Sequence, residues 1–412
     1  MVKFDRFTLD NGLTVLVHED PTTPMAVVNI LYDVGARDEN PSQTGFAHLF
    51  EHLMFGGSIN ISSYDEPLQR VGGENNAFTS NDITNYYVTL PAVNLETAFW
   101  LESDRMLSLA FSDKSLEVQR NVVCEEFKQR YLNQPYGDVM LKLRPLAYTN
   151  HPYSWPTIGK ELAHIEDAKI EDVKAFFKKH YSPVNAIMVV GGAVKTSEVQ
   201  ALAKKWFGDI PSGDKYNRDL PVEPIQVEAR RLVHYADVPV NAIYIALHVP
   251  AKNDQGYYEA DLIGDLLSRG NSSRLYKTLV KDRKLFTDIN ASLTGSSDPG
   301  LMIIDGRPSE GVSIEEAEAA IWDVLSQLSD ELVADAELNK VKNKIESTMV
   351  FAEMSLLDKA MNLAYFEILG DANALNKETD RYLQVTAEDI QHRAQSIFRK
   401  ENSSTLLYLS NS

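Results

Sequence analysis

Three stretches, spread toward both ends of each half of this chain, recur at almost the same spacing, and no other feature limits the fold as much. Val28-Asn29-Ile30-Leu31-Tyr32-Asp33-Val34 resembles Ile243-Tyr244-Ile245-Ala246-Leu247-His248-Val249 at an offset of 215. Ala36-Arg37-Asp38-Glu39 resembles Ala251-Lys252-Asn253-Asp254 at the same offset, and Glu171-Asp172-Val173 resembles Glu388-Asp389-Ile390 at 217. Nearly equal offsets at both ends of a half point to duplication of one α+β unit. The length of 412 residues suits two domains. Pro211-Ser212-Gly213-Asp214, Pro221 and Pro224 interrupt the periodic pattern near the midpoint. The expected organisation is a first domain at 1–212, a linker at 213–224 and a second domain at 225–412.

Within the first half the pattern reads β-β-α-β-α. Phe7-Thr8-Leu9 and Leu13 to His18 flank Asn11-Gly12 and read as a hairpin. Ala26 to Val34 and Thr84 to Leu90 read as strands, with a further strand at Phe78-Thr79. Thr44 to Met54, Asn94 to Ser108, Ser112 to about Asn133 and Asp172 to His180 read as helices, and Ala186 to Val190 as a buried strand closed by Gly191-Gly192.

The first-half helix at Thr44–Met54 carries His48-Leu49-Phe50-Glu51-His52. On a helix His48 and His52 lie one turn apart on one face, with Glu51 beside them. Two same-face imidazoles are half of a catalytic zinc site, and an adjacent carboxylate can take a proton from water at the metal. The order inverts the His-Glu-x-x-His zinc motif. At the repeat offset of 215, His48 falls on Ile263 and His52 on Leu267, so the second half is expected to lack a metal site.

A catalytic zinc needs a third protein ligand. The best segment is Leu116 to Phe127, where Leu116, Val123 and Phe127 form an apolar stripe. Glu126 borders that stripe, while Glu125 turns about 100° away. Periodicity favours Glu126 over Glu125. Cys124 reads as packing.

Composition removes several function classes. The formal net charge of −19 argues against nucleic acid or an anionic membrane as partner. No apolar run reaches the length of a membrane span. Met1 to Phe7 is charged and enters a strand, unlike a signal peptide, so the expected location is the cytoplasm, or the periplasm had a leader been removed. The single cysteine, Cys124, allows no internal disulfide.

The ordered motifs resemble the pitrilysin and mitochondrial processing peptidase family of inverted-motif zinc peptidases. The match runs through His48-x-x-Glu51-His52, Gly72-Gly73-x-x-Asn76-Ala77-Phe78-Thr79, and Arg120-x-Val122-Val123-x-Glu125-Glu126. It continues through Pro135-Tyr136-Gly137, His151-Pro152-Tyr153, Tyr181-x-Pro183-x-Asn185-Ala186, Gly191-Gly192 and Ser272-Ser273-Arg274-Leu275. The resemblance implies two homologous domains, each a mostly antiparallel sheet backed by helices. It implies a zinc endopeptidase acting on unfolded peptides or oligopeptides in a closed chamber, with His48, His52 and Glu126 as ligands and Glu51 as general base. It also implies a peptide bound as an added strand beside Asn76, Ala77 and Phe78.

Two positions depart from the family pattern. Gln119 stands where members often carry a glutamate, two helical turns before the distal ligand. Val280 and Thr287 stand where single-chain and homodimeric members carry an arginine and a tyrosine that bind substrate and stabilise the oxyanion. A register shift brings in Arg283, but Asn290 then occupies the tyrosine position. The chain therefore resembles the metal-bearing subunit of a two-chain bacterial member, with a homologous partner supplying the missing pair. A self-sufficient homodimer is the alternative assembly. A non-catalytic peptide-binding or scaffold subunit is the alternative function.

Overall fold

The computed structural model describes residues 1–411, which form two compact units. Among the described residues, one comprises Met1–Gln129, Trp155–Leu220 and Val350–Lys377; the other comprises Arg130–Ser154, Pro221–Met349 and 378–411. Each unit thus takes in one segment from the other half of the sequence. No helix among the described residues is long and apolar enough to cross a membrane.

The first unit is built on a six-stranded sheet. Its strands are β1 (Asp5–Thr8), β2 (Thr14–Glu19), β3 (Met25–Tyr32), β4 (Glu74–Thr79), β5 (Thr84–Pro91) and β6 (Ala186–Gly192), in the order β1-β2-β6-β3-β5-β4. Only β2 and β6 run parallel; the other pairs are antiparallel. The centre of the sheet falls on β3, a Val/Ile/Leu-rich strand that is buried along nearly its whole length. β4 ends the order, and its residues alternate between exposed and half-buried.

The second unit repeats this plan with five strands. They are β7 (Arg230–Ala236), β8 (Ala242–Val249), β9 (Phe286–Leu293), β10 (Gly300–Pro308) and β11 (Ser403–Ser410), in the order β7-β11-β8-β10-β9. Again one pair is parallel, β7 with β11, and the rest are antiparallel. The registers reproduce the sequence offsets: Tyr32 pairs with Ala186, and Leu247, 215 residues on from Tyr32, pairs with Ser403, 217 on from Ala186. Side chains repeat as well. Asn185 Nδ2 donates to His180 O and Asp33 O, and Asn402 Nδ2 donates to Ile397 O and His248 O. The protein is therefore an α+β fold of two homologous halves, each a mixed sheet backed by helices.

The traded segments are equivalent too. The helix Val139–Ala147 covers β7, β8 and β11 in the second unit, and Leu356–Ile368 covers β2, β3 and β6 in the first. A Cβ on Gly191 would sit 3.2 Å from Leu356 Cδ1 and 3.3 Å from Val27 Cγ1, so glycine there lets the covering helix approach β6.

Candidate metal centre

The helix Phe46–Leu53 buries Phe46, Leu49, Phe50 and Leu53. Phe50 stacks on Phe176 and Tyr181, with ring centroids 4.9 and 5.1 Å away, which fixes the rotation of this short helix about its axis. His48 and His52 then project from the opposite side, ring centroids 4.9 Å apart and nearly perpendicular at 85°.

The second helix, Asp113–Phe127, starts at Ser112, whose Oγ accepts from Ser115 N at 3.1 Å. It buries Leu116, Val123, Cys124 and Phe127 and packs against the histidine helix. Glu126 Oε2 lies 3.7 Å from His48 Nε2 and 3.5 Å from His52 Nε2. Glu125 points away and pairs with Lys128 at 2.7 Å. Cys124 lies in the buried face, and burial raises its thiol pKa.

Ligand atoms of His48, His52 and Glu126 all fall within 4.8 Å of one another, and this is the one such cluster among the described residues. Zinc bonds of about 2.0–2.1 Å in tetrahedral geometry separate neighbouring donors by about 3.3 Å. The 3.5 and 3.7 Å contacts are close to that value, and two imidazoles with one carboxylate are a donor set suited to zinc with an open position. The residues fit the ion. All three side chains are partly shielded, at 12, 24 and 18% exposure, so a ligand in the fourth position has a way in.

Glu51 sits one residue before His52, and its Oε2 accepts from Thr79 Oγ1 at 2.6 Å. Burial first, with the Glu51 charge among lesser causes, raises the phenol pKa of Tyr181 and Tyr86 behind this carboxylate. Asn76, Ala77 and Phe78 lie along β4; Asn76 and Phe78 are exposed and Ala77 is half-buried. Asn76 Oδ1 accepts from Ala77 N at 2.8 Å. Gln119 is half-buried two turns before Glu126, close to Gly56 just beyond the histidine helix.

In the second unit the helix Tyr257–Ser268 follows Gly256 at φ 116°, just as Phe46–Leu53 follows Gly45 at φ 89°. Aligned on these glycines, His48 matches Glu259 and His52 matches Ile263, four residues earlier than the strand offset gives. The connection before this helix is shorter than its first-half counterpart. Neither register places a histidine there. Val280 packs partly buried against the core of its unit, and Thr287 Oγ1 donates to Arg307 O at 3.2 Å. Arg283 pairs with Asp323 at 3.4 Å.

The sequence reading missed Thr79 as the partner of Glu51, and it missed Glu39. Glu39 is 6% exposed; its Oε2 accepts from Gly45 N at 2.8 Å and Trp155 Nε1 at 3.1 Å, and its Oε1 from Ala47 N at 2.8 Å. Burial pushes its pKa up to about 8, against the pull of these three N–H donors. The one sequence signal was indirect: the histidine helix begins at a glycine, which has no side chain to cap it.

Residues 14–161 match the family model described as insulinase (peptidase family M16), and residues 167–345 match the one described as peptidase M16 inactive domain. The zinc protease PqqE of Helicobacter pylori is 30% identical over 410 residues, covering 98% of this chain and 92% of that protein. The crystal structure of a protease from Helicobacter pylori superposes with a TM-score of 0.92 at 29% identity, covering 99% of this chain and 100% of that one. The periplasmic protease PqqL of Escherichia coli shares the fold, with a TM-score of 0.79 at 19% identity over 99% of this chain but only 47% of its own. A relative matched nearly end to end, and two family models that between them span most of the sequence, establish that this chain belongs to peptidase family M16.

Proposed function

We propose that this protein is a zinc-dependent endopeptidase of the pitrilysin and mitochondrial processing peptidase type, acting on unfolded peptides. The observation that carries this is the convergence of His48, His52 and Glu126 with Glu51 alongside, next to an edge strand. Zinc held by those three residues would supply Lewis acidity to the attacking water and the scissile carbonyl. Glu51 would take the proton of that water and return it to the departing amine. Its hydrogen bond from Thr79 holds the carboxylate in one orientation. A peptide strand lying along β4, beside Asn76, Ala77 and Phe78, would place a carbonyl near Glu51, because Thr79 belongs to the same strand.

The second half offers no arginine or tyrosine at 280 and 287. We therefore assign those roles to a homologous partner subunit. The PqqL match agrees with this, since that chain is about twice as long as the part this fold covers.

The test is zinc content and peptidase activity of the purified chain, with and without Glu51→Gln. One zinc per chain, with hydrolysis lost in Glu51→Gln and zinc retained, supports the reading. Undiminished activity in that variant overturns the role of Glu51. A chain that binds no zinc favours a non-catalytic peptide-binding subunit, the reading suggested by Val280 and Thr287.

A further inference from the structure

The histidine helix depends on residues outside it for its N-terminal hydrogen bonds. Gly45 precedes it in the left-handed region, at φ 89°, and supplies no capping side chain. The first N–H groups of a helix lack internal partners. Here the carboxylate of Glu39, six residues upstream, accepts from the N–H groups of Gly45 and Ala47. Ala47 is directly followed by His48, so this carboxylate holds the turn from which the first proposed ligand projects.

Glu39 is itself held. Trp155 Nε1 donates to Glu39 Oε2 at 3.1 Å and to Ala36 O at 3.0 Å. The chain after Trp155 closes around the same helix start. Lys160 N donates to Thr44 Oγ1 at 2.9 Å, and Thr44 N to His164 Nδ1 at 3.1 Å. A Cβ on Gly45 would lie 2.6 Å from Ile158 O and 2.7 Å from Ile165 Cδ1, so the contact leaves no room to slide. The turn of helix at Ala163–Glu166 also packs on the helix that carries Glu126. One short segment, 155–166, therefore braces both ligand-bearing helices.

We propose that Glu39, oriented by Trp155, is a positioning residue for the metal centre: it fixes the pitch and rotation of Phe46–Leu53 so that His48 and His52 meet Glu126. This rests on the zinc reading above. Both oxygens of Glu39 face N–H donors, so an isosteric amide cannot replace it, because its NH2 would face another donor. Groups hydrogen-bonded directly to metal ligands typically alter affinity by about 10- to 100-fold when removed, and that range sets the scale for a support one step further back.

The test uses the full chain, titrated with Zn2+ against a chromophoric chelator, and with Co2+ to read the d–d absorption of the site. Glu39→Gln should weaken zinc binding by about 10- to 100-fold and change the cobalt spectrum. Trp155→Phe, which removes the indole N–H together with part of a buried ring, should weaken binding several-fold with a smaller spectral change in the same direction. A folded Glu39→Gln with wild-type zinc affinity and cobalt spectrum overturns the proposal. Should Glu39→Gln fail to fold, Trp155→Phe decides, and wild-type affinity and spectrum in it overturn the proposal equally. A wild-type chain that takes up no metal overturns the zinc reading, and the positioning role falls with it.

Discussion

Thr79 Oγ1 donates to Glu51 Oε2 at 2.6 Å, which ties the last residue of an edge strand to the carboxylate between the two histidines. A strand added along β4 would thus bear on the same element that orients Glu51. Thr79→Val keeps the shape of the side chain and removes the donor. Turnover should fall by about tenfold, the equivalent of ~1.4 kcal/mol, with zinc content and KM nearly unchanged. Steady-state kinetics on one peptide, beside a zinc assay, check this. A change in KM alone would place Thr79 in peptide binding instead.

Zinc should stabilise the chain without being needed to fold it. The proposed ligands sit on two helices whose opposite faces are already buried in the first unit. At free zinc a thousandfold above its dissociation constant, the gain is about 4 kcal/mol. Glu126→Gln should lose most of that gain, and Glu125→Gln, whose carboxylate pairs outward with Lys128, should keep it. Denaturant unfolding with and without chelator measures the difference. Equal losses in the two variants would remove Glu126 from the ligand set.

His180 gives the first unit a pH dependence of its own. It is fully buried, its Nδ1 and Nε2 have no hydrogen-bond partner among the described residues, and its ring packs 4.7 Å from Phe176 and Tyr216. Burial, then the charges of Lys179 and Arg218, push its pKa down from 6.5 to about 3. Between those values the unfolded chain binds the proton and the folded chain does not. The contribution is therefore complete above pH 6.5 and is lost as pH falls toward 3, up to about 4 kcal/mol. His180→Phe should flatten that part of the stability profile relative to wild type. Parallel profiles for the two proteins would show that His180 is solvated in the folded state.

Much of this was legible in the sequence because the signals were local or periodic. His48, Glu51 and His52 share one turn of helix, and the apolar stripe of Leu116, Val123 and Phe127 singled out Glu126 over Glu125. The offsets of 215 and 217 reappear as sheet register because paired strands tolerate no slip without exchanging faces. Less was legible where the chain makes partners at a distance. Glu39 caps a helix six residues on and takes its third hydrogen bond from Trp155, 116 residues away. Arg130–Ser154 and Val350–Lys377 cross between units as amphipathic helices that look, in sequence, like any other helix of their own half. The four-residue shift that moves the equivalent of His48 from Ile263 to Glu259 arises in a loop, where length varies freely.

The connection between the halves is anchored at both ends, which makes its cleavage predictable. Arg218 Nε donates to Asp38 Oδ1 at 2.7 Å and its Nη2 to Asp33 Oδ1 at 2.9 Å, so 218 is fixed to the first unit. Glu223 accepts from the backbone N–H groups of Thr149, Asn150 and His151 at 2.9 to 3.0 Å, so 223 is fixed to the second. Limited proteolysis of the native chain should therefore begin at 219–222, between the anchors. Arg218→Ala leaves Asp38, 6% exposed, without its closest cation, a change that typically costs about 3 kcal/mol. The cut sites should then spread back across 213–218, and mass spectrometry of the first fragments reads this directly. An unchanged cleavage pattern in Arg218→Ala would mean that neighbouring contacts such as Gly213 against Ser182 hold the segment without it.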